Sequence, residues 1–295
     1  MGRERRPPDV SRVQLEGLRD RTLRRRPQFR VRGQRSALAF VNQVGACFTF
    51  SRFGTDFPCL WTAVCGKRHP RWPRHTHHDP AVLLAWELKD VLPEKRLAYY
   101  GKLIQGRPTL VALDLLPAFI ALIREGRRSG DFLLDYRSGL LSRAAARILE
   151  ALLEESPLAT PALRRRAGLE ASTATRTFEG AITELQRRLW IVKVEAVYEP
   201  RFYYRWDLLD NWLPAAVRTA EGLSQAQAVD QIVDRHLSAV LYAGSHRMER
   251  LFGLSREILA GALGRLAAGG RVSLDQRIRG LPGTWVLAAS ARASR

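Results

Sequence analysis

Residues Ser142 to Trp206 have the sequence SRAAARILEALLEESPLATPALRRRAGLEASTATRTFEGAITELQRRLWIVKVEAVYEPRFYYRW, and this stretch decides the fold. It predicts three helices followed by two strands. The first helix covers Arg143 to Glu154, because apolar residues recur there at helical spacing. Two prolines then break the chain and start a short second helix, and Gly168 permits the left-handed turn that ends it.

The third helix of this stretch is long and has two faces. Ser172 or Thr173 caps it, and it ends near Arg188. One face is apolar and is expected to pack against a core. The other face carries Thr173, Arg176, Gly180, Thr183 and Arg187. Arg and Thr donate hydrogen bonds and Gly permits close approach, so this face suits contact with a polyanion. It could also be only a solvated face, or a surface for protein contacts.

Two strand-like runs, Trp190 to Val194 and Phe202 to Trp206, complete the pattern as a β-hairpin. Three helices followed by such a hairpin are typical of the winged helix. In winged helices the third helix usually enters the DNA major groove, and the wing contacts the backbone. We therefore expect Arg201 and Arg205 on the wing to contact DNA together with the third helix.

The same pattern recurs near the end of the chain. Helices are predicted over Gln225 to Leu241 and Ser245 to Phe252, then after Ser255, and two short strands follow. Gly253-Leu254 repeats the Gly168-Leu169 pair between second and third helices, so chance is a poor explanation. At the tip of this last hairpin, Arg277 and Arg279 are candidate DNA contacts.

Composition limits the classes of partner. The chain has 295 residues, enough for about two or three domains, and a formal net charge of +19 that comes mostly from arginine. This charge favours a polyanion, with nucleic acid as the default partner. A membrane surface would also fit the charge, but no apolar run reaches the roughly 18 residues that a bilayer span needs.

The cysteines and the N-terminus indicate the compartment. Three unevenly spaced cysteines argue against a disulfide framework and favour a reducing environment. The basic N-terminus lacks the apolar core of a secretory signal. We expect a monomer in the cytoplasm, associated with the nucleoid, that binds double-stranded DNA without a membrane or a cofactor.

The fold class is predicted to be α+β, mostly α, with tandem winged-helix domains in four segments. They are a basic N-terminal arm over residues 1–35, a degenerate winged-helix or helical region over 36–135, a central winged helix over 136–212 and a C-terminal one over 224–290. The first ten or so residues are expected to be disordered. A short helix is predicted over Ser36 to Cys47, and a basic connector over Gly126 to Ser138.

A basic loop over Gly66 to Asp79 carries four histidines near Cys59 and Cys65. The spacing of these side chains fits no metal-site pattern, and the neighbouring Arg and Lys residues would repel a cation. We therefore expect no metal and interpret the loop as one that contacts a nucleic-acid backbone. Asp79-Pro80 predicts an N-cap followed by proline at the first helical position.

The segment SALAFVNQVGACFTFSRFG, Ser36 to Gly54, and the chain from Trp86 through both winged helices resemble the AlkZ (YcaQ-like) family. The segments FPCLWTAVCG, HHDP and WELKD look characteristic of a divergent AlkZ-related branch. The resemblance implies a tandem winged-helix DNA glycosylase fold. Such enzymes remove alkylated purines and unhook interstrand crosslinks. In the family a Gln-x-Asp or Gln-x-Gln motif positions the attacking water.

Matching of apolar positions places that motif on Phe40, Val41 and Asn42, and a slip of one or two residues would bring in Gln43. Phenylalanine cannot orient water, and asparagine cannot take its proton. The leading hypothesis is therefore a DNA-binding protein without the hydrolytic activity of the family. The alternative is an active glycosylase with a relocated catalytic group, Asp56 or His77. A third hypothesis is a protein scaffold whose arginines bind acidic partners.

Overall fold

The computed structural model describes residues 10–51 and 56–291 of the chain. The expectation of disorder at the N-terminus falls almost entirely on residues 1–9, outside the described residues. The helices are α1 (Arg12–Thr22), α2 (Gln34–Val44), α3 (Leu60–Cys65), α4 (Pro80–Glu94), α5 (Leu116–Arg124), α6 (Phe132–Arg137), α7 (Arg143–Glu154), α8 (Thr160–Arg166), α9 (Thr175–Arg187), α10 (Leu209–Trp212), α11 (Pro214–Glu221), α12 (Gln225–Val240), α13 (Ser245–Phe252) and α14 (Arg256–Ala268).

The strands are short and alternate with these helices. They are β1 (Val10–Ser11), β2 (Ala46–Phe48), β3 (Ala98–Gly101), β4 (Thr109–Ala112), β5 (Leu158–Ala159), β6 (Ile191–Val197), β7 (Tyr203–Leu208), β8 (Tyr242–Ala243), β9 (Val272–Gln276), β10 (Ile278–Arg279) and β11 (Trp285–Ala288). None of the helices in the described part of the chain combines the length and apolar character needed to cross a bilayer.

Three winged helices follow one another in the chain. Each unit has a helix, a short strand, two more helices and two further strands of the same sheet, and the third unit also carries β10 between the last two. The three sheets have the same strand order. The orders are β2-β4-β3, β5-β7-β6 and β8-β11-β9, so the third strand always lies between the first and second. The predicted class, α+β and mostly α with tandem winged helices, is confirmed. The strand order of the first unit matches that of the other two.

Local sequence explains the central unit. The Ser142 hydroxyl accepts a hydrogen bond from the Ala145 amide at 3.2 Å and caps α7 as an N-cap serine does. Gly168 has φ of +59°, a left-handed value that glycine adopts without strain. Helix α9 begins at Thr175, after a 3-10 turn over Ser172–Ala174. Its apolar face buries Phe178 in the core of the unit, as its periodicity predicted.

Two segments differ from their predictions. The helix predicted to reach Cys47 ends at Val44, because Gly45 adopts φ of +76° and Cys47 then lies on strand β2. The predicted connector over Gly126 to Ser138 contains helix α6. Phe132 anchors this helix by burying its ring beside α7, a contact between segments that local composition does not reveal.

Buried contacts join the units. Helix α5 packs on both α11 and α12. The guanidinium of Arg124 is buried, donates hydrogen bonds to Asp210 and to the Leu189 carbonyl, and lies 4.6 Å from the ring centroid of Trp190. Strand β1 pairs in parallel with β10 of the third unit, and Thr22 at the end of α1 donates to the Ala239 carbonyl at 2.9 Å. These contacts hold α1 beside the third winged helix.

Candidate nucleic-acid interface

A cleft of about 780 Å³ lies between α1, parts of the first unit and the third winged helix. We call it the arginine cleft. Six arginines line it: Arg12, Arg19, Arg25, Arg68, Arg247 and Arg250. The carboxylates that line it are Glu16 and Asp56. Six cations against two anions give this concave surface the charge that a polyanion requires.

The inner arginines of the cleft are fixed by ion pairs to α1. Glu16 binds Arg19 at 2.9 Å and Arg25 at 3.0 Å, and it accepts a hydrogen bond from the Tyr242 hydroxyl at 2.6 Å. Burial by itself raises the pKa of Glu16, but Tyr242 and the two arginines outweigh burial and hold that pKa below its ordinary value. Glu16 therefore stays ionised, and it positions arginines rather than accepting protons at neutral pH.

A second carboxylate, Asp20, organises the arginines beside it. It binds Arg68 at 2.7 Å, Arg26 at 3.0 Å and Arg25 at 3.3 Å. Part of the basic block that follows α1 is therefore held in ion pairs instead of extending as a free arm. Arg25 in particular is buried, with 8% of its surface exposed.

The outer arginines of the cleft are exposed. Arg12 and Arg250 make no ion pair in the described part of the chain, whereas Arg247 pairs with Asp56. The side-chain amide of Gln105 donates to the Arg250 carbonyl at 3.3 Å. Gln105 and Arg250 also line a neighbouring depression of about 470 Å³. The C-terminal end of α9 contributes Arg187 to this depression, so the basic surface continues from the cleft to the central unit.

The floor of the cleft contains a neutral histidine. His236 stacks against Phe57, with ring centroids 5.7 Å apart, and meets Phe252 edge-on at 5.2 Å. Burial, with a smaller effect of Arg19, lowers the pKa of His236 to about 3. Its Nδ1 is buried and has no hydrogen-bond partner within the described residues. The imidazole is therefore uncharged at neutral pH, and the floor of the cleft is aromatic.

The central recognition helix has only some of its predicted face free. Thr173 and Arg176 are exposed near the start of α9, and Arg187 is exposed at its end. Thr183 is instead engaged by the first unit, because its hydroxyl accepts a hydrogen bond from Lys102 Nζ at 3.0 Å. DNA contact by these residues stays a prediction.

The predicted wing arginines lie outside the lining of the arginine cleft. Arg201 is exposed at the turn of the central wing. Arg205 faces Glu195 across the hairpin at 3.6 Å. Arg277 and Arg279 are exposed on the last wing, where Arg279 belongs to the strand that pairs with β1. Their role in DNA binding also stays a prediction.

The positions matched to the catalytic motif lie on two different sides of α2. Phe40 is fully buried in the core of the first unit. Asn42 and Gln43 are exposed on the opposite side of α2 from that core, and the Asn42 carbonyl accepts a hydrogen bond from Arg235 at 2.7 Å. None of the three lines the arginine cleft.

The two fallback residues are separated. Asp56 lines the arginine cleft, where its partner is Arg247, whereas His77 is exposed on a 3-10 turn before α4. Neither is hydrogen-bonded to Asn42 in the part of the chain that the structure describes. Within the same residues, no group of three or more His, Cys, Asp or Glu side chains could hold a metal ion. The Asp79 carboxylate caps α4 by accepting from the Val82 amide at 2.9 Å.

Sequence reasoning did not name the six arginines of the cleft as site residues, although Arg68 lies in the predicted basic loop and Arg12, Arg19 and Arg25 lie in the predicted basic arm. Arg247 and Arg250 had a detectable signal, because they lie three residues apart and therefore on one face of α13. Arg19 also had one, because it lies three residues after its partner Glu16 on α1, but the position of this pair in the cleft depends on Tyr242, which lies 226 residues from Glu16 in sequence. A contact of that range cannot be inferred from local periodicity.

The fold defines a protein of three consecutive winged helices with a basic cleft. A family profile described as AlkZ related matches residues 31–253, and the chain belongs to this family. Among solved structures, the Streptomyces sahachiroi DNA glycosylase AlkZ matches with a TM-score of 0.61 and 14% sequence identity. The match covers 97% of this chain and 72% of that one, and at this identity it supports the fold alone. A sequence search of curated proteins finds no match.

Proposed function

We propose that this protein binds double-stranded DNA in the arginine cleft and lacks the hydrolytic activity of the AlkZ glycosylases. The observation that carries the proposal is the convergence of six arginines and two carboxylates on one concave surface. Family membership supports it, because the related solved structure is that of a DNA glycosylase. The protein would recognise duplex or damaged DNA as a monomer.

The cleft contains both fixed and exposed arginines, and this combination supports a role in phosphate binding. Arg19 and Arg25 are fixed by Glu16, so they add positive potential to the cleft without being free to leave it. Arg12 and Arg250 are exposed and can approach a phosphate without first breaking an ion pair. Phosphate contacts of this kind supply most of the affinity of non-specific DNA binding.

The residues at the positions matched to the motif support the proposed absence of hydrolysis. Hydrolysis of a glycosidic bond needs a group that orients water and stabilises positive charge at the anomeric carbon. The buried Phe40 ring offers neither function, and the exposed Asn42 amide cannot accept a proton at neutral pH. The ionised Glu16 in the cleft is already saturated by arginines and a tyrosine hydroxyl.

Two measurements test the proposal. Binding to a labelled duplex should weaken steeply with salt, and incubation with alkylated duplex should release no free base above the rate without protein. The matched variants are Arg250→Ala in the cleft and Arg218→Ala on α11, which is exposed and outside the cleft. Only the first should weaken binding. Affinity that does not change with salt would contradict DNA binding, and protein-dependent base release would contradict the loss of hydrolysis.

One observation favours the alternative of an active glycosylase. Asp56 and the neutral His236 both line the cleft, so a carboxylate and an imidazole border the proposed DNA path. If Asp56 were the relocated catalytic group, Asp56→Asn would abolish base release, whereas His77→Ala would not change it. Release of base that survives Asp56→Asn would reject this assignment.

A further inference from the structure

A buried cluster joins α4 to the central wing. Lys89 Nζ donates to both oxygens of Asp90, at 2.8 and 2.9 Å, and Lys193 Nζ donates to one of the same oxygens. The Tyr198 hydroxyl donates to the other oxygen at 2.5 Å. The side chains of Lys89, Lys193 and Asp90 are 3%, 1% and 6% exposed, so two ammonium groups share one carboxylate in a cluster with little exposure to water.

The charge of Lys193 disfavours the charge of Lys89, because both ammonium groups contact Asp90. Burial and the nearby Lys193 lower the pKa of Lys89 to about 8, and burial also lowers the pKa of Lys193. Asp90 and Glu94 oppose this shift, but Glu94 is not within ion-pair distance of either lysine and bonds the Ala196 amide at 3.1 Å. Lysine next to another cation is a recurring way to obtain a neutral, nucleophilic amine.

The choice of lysine here is unusual for this chain. Only five of its 48 basic residues are lysines. Three of the five, Lys89, Lys102 and Lys193, lie in or beside this cluster. Arginine stays charged at any physiological pH, whereas lysine can lose its proton when it is buried. Most basic residues of this chain are arginines. The buried basic positions of this cluster are lysines, which can become neutral amines.

Lys193 also lines a pocket of about 570 Å³ between α8, α9 and the central hairpin. We call it the wing pocket. Its lining includes Tyr100, Lys102, Phe178, Glu179, Lys193 and Tyr204. Lys193 Nζ lies 4.8 Å from the ring centroid of Tyr100 and 5.1 Å from that of Tyr204, so aromatic walls border the amine. Lys102 and Arg165 supply positive charge for a phosphate group.

We propose that the wing pocket is an amine site in which Lys193 forms an imine with the open-chain aldehyde of a deoxyribose, the group that an abasic site in DNA presents. The lone pair of the neutral amine attacks the C1′ carbonyl carbon, and the carbonyl oxygen leaves as water after two proton transfers. The imine then acidifies the C2′ hydrogen. Loss of that proton and departure of the 3′-phosphate with the C3′–O electron pair break the strand.

The inference that DNA brings this sugar to the wing pocket rests on the proposed function, whereas the chemistry of the Lys193 amine does not. The full-length chain is therefore treated with sodium borohydride in the presence of two separate probes, a duplex with one abasic site and free 2-deoxyribose 5-phosphate. Borohydride reduces an imine to a stable secondary amine, so the adduct can be mapped by peptide mass. We expect a borohydride-dependent adduct on Lys193 with both probes.

The variants separate a catalytic amine from a structural cation. Lys193→Arg keeps the charge and Lys193→Met removes it; both should abolish the adduct, and Lys67→Met, at an exposed lysine, should leave it intact. Lys89→Met removes a like charge, so the pH midpoint of trapping should rise by about one unit or more. Asp90 and Glu94 raise the pKa of Lys193 against the effect of burial. Lys89 and Tyr198 share Asp90 with Lys193, and the rings of Tyr100 and Tyr204 lie beside its ammonium group.

The outcomes are distinguishable. An adduct mapped to Lys193 with the free sugar phosphate but not with the duplex would support the amine and contradict DNA as its carrier. No adduct with either probe, an adduct elsewhere, or an adduct that persists in Lys193→Arg would overturn the proposal. So would an unshifted pH midpoint in Lys89→Met, a variant that keeps Lys193 itself. Salt-dependent duplex binding without any adduct would leave the proposed DNA binding in place.

Discussion

Removal of two exposed arginines should change the salt dependence of DNA binding by a calculable amount. Arg19 and Arg25 are buried and fixed, which leaves Arg12, Arg68, Arg247, Arg250 and the neighbouring Arg187 as the candidates to neutralise phosphates. Five neutralised phosphates give a slope of about −4.5 in log K against log salt, because each contributes about −0.9. A fourfold rise in salt should then weaken binding about 500-fold.

The double variant Arg187→Ala/Arg250→Ala should reduce the slope to about −2.7, so the same rise in salt weakens binding only about 40-fold. Fluorescence anisotropy of a labelled duplex between 50 and 200 mM salt measures both slopes, an order-of-magnitude test of counterion release. The control is Arg137→Ala/Arg218→Ala, two exposed arginines outside the cleft. An unchanged slope in the double variant, or an equal loss in the control, would refute a localised cleft.

Three further predictions concern stability. Asp20 binds Arg68 at 2.7 Å. Burial raises the pKa of Asp20, but the hydrogen bond to Arg68 and the contacts of Asp20 with other arginines outweigh burial and lower that pKa. The contribution of Asp20 to stability is therefore present above the pKa of the unfolded state and is lost as pH falls through the lower pKa of the folded state. The free energy of unfolding, measured by urea titration, should differ less between pH 7 and pH 3 in Asp20→Asn than in wild type. Burial lowers the pKa of His236 to about 3, whereas the ordinary pKa of histidine is 6.5. The folded state therefore loses stability as pH falls below 6.5, by about 2 kcal/mol at pH 5. The variant His236→Phe should lack this loss in the same titrations. Asp210→Asn leaves the buried Arg124 guanidinium without its carboxylate. This change should lower the free energy of unfolding by about 3 kcal/mol in chemical denaturation. An unchanged midpoint would show that the ion pair makes no net contribution to stability.

The second and third winged helices were predictable because their signals are local. Ser142 and Ser255 cap helices with their own hydroxyls, and Gly168 and Gly253 adopt the left-handed conformation between the second and third helices. Apolar side chains recur at helical spacing, so the buried faces follow from periodicity alone. Each of these features depends on residues within about one or two turns of each other.

The candidate site was not predictable in the same way. The position of the ion pairs of the cleft beside the third unit depends on contacts between residues far apart in sequence, because Thr22 bonds a carbonyl 217 residues away and Glu16 bonds a hydroxyl 226 residues away. The positions matched to the catalytic motif stay a prediction. Matching of apolar residues put Phe40 at a motif position, and the side of α2 that carries Phe40 faces the core of the first unit. Local apolar spacing indicates which side of α2 is buried, whereas the residues that surround Asn42 depend on the fold.

The packing of the units also bears on how DNA could be bound. The third helix of the first unit, α4, is covered by the central wing. Lys193 and Tyr198 of the wing donate hydrogen bonds to Asp90 of α4, and the Ala196 amide donates to Glu94.

The third helix of the central unit, α9, is partly covered by the first unit, because Gln186 accepts from the Lys102 amide at 2.7 Å and Thr183 from its ammonium. A helix whose face is occupied by a neighbouring unit cannot insert fully into a major groove, which must accommodate the helix along its length. Neither α4 nor α9 is therefore free for the docking expected of an isolated winged helix. Contact with the duplex would then fall to the surface between units, where the arginines of the cleft and the exposed end of α9 at Arg187 face the same basic path.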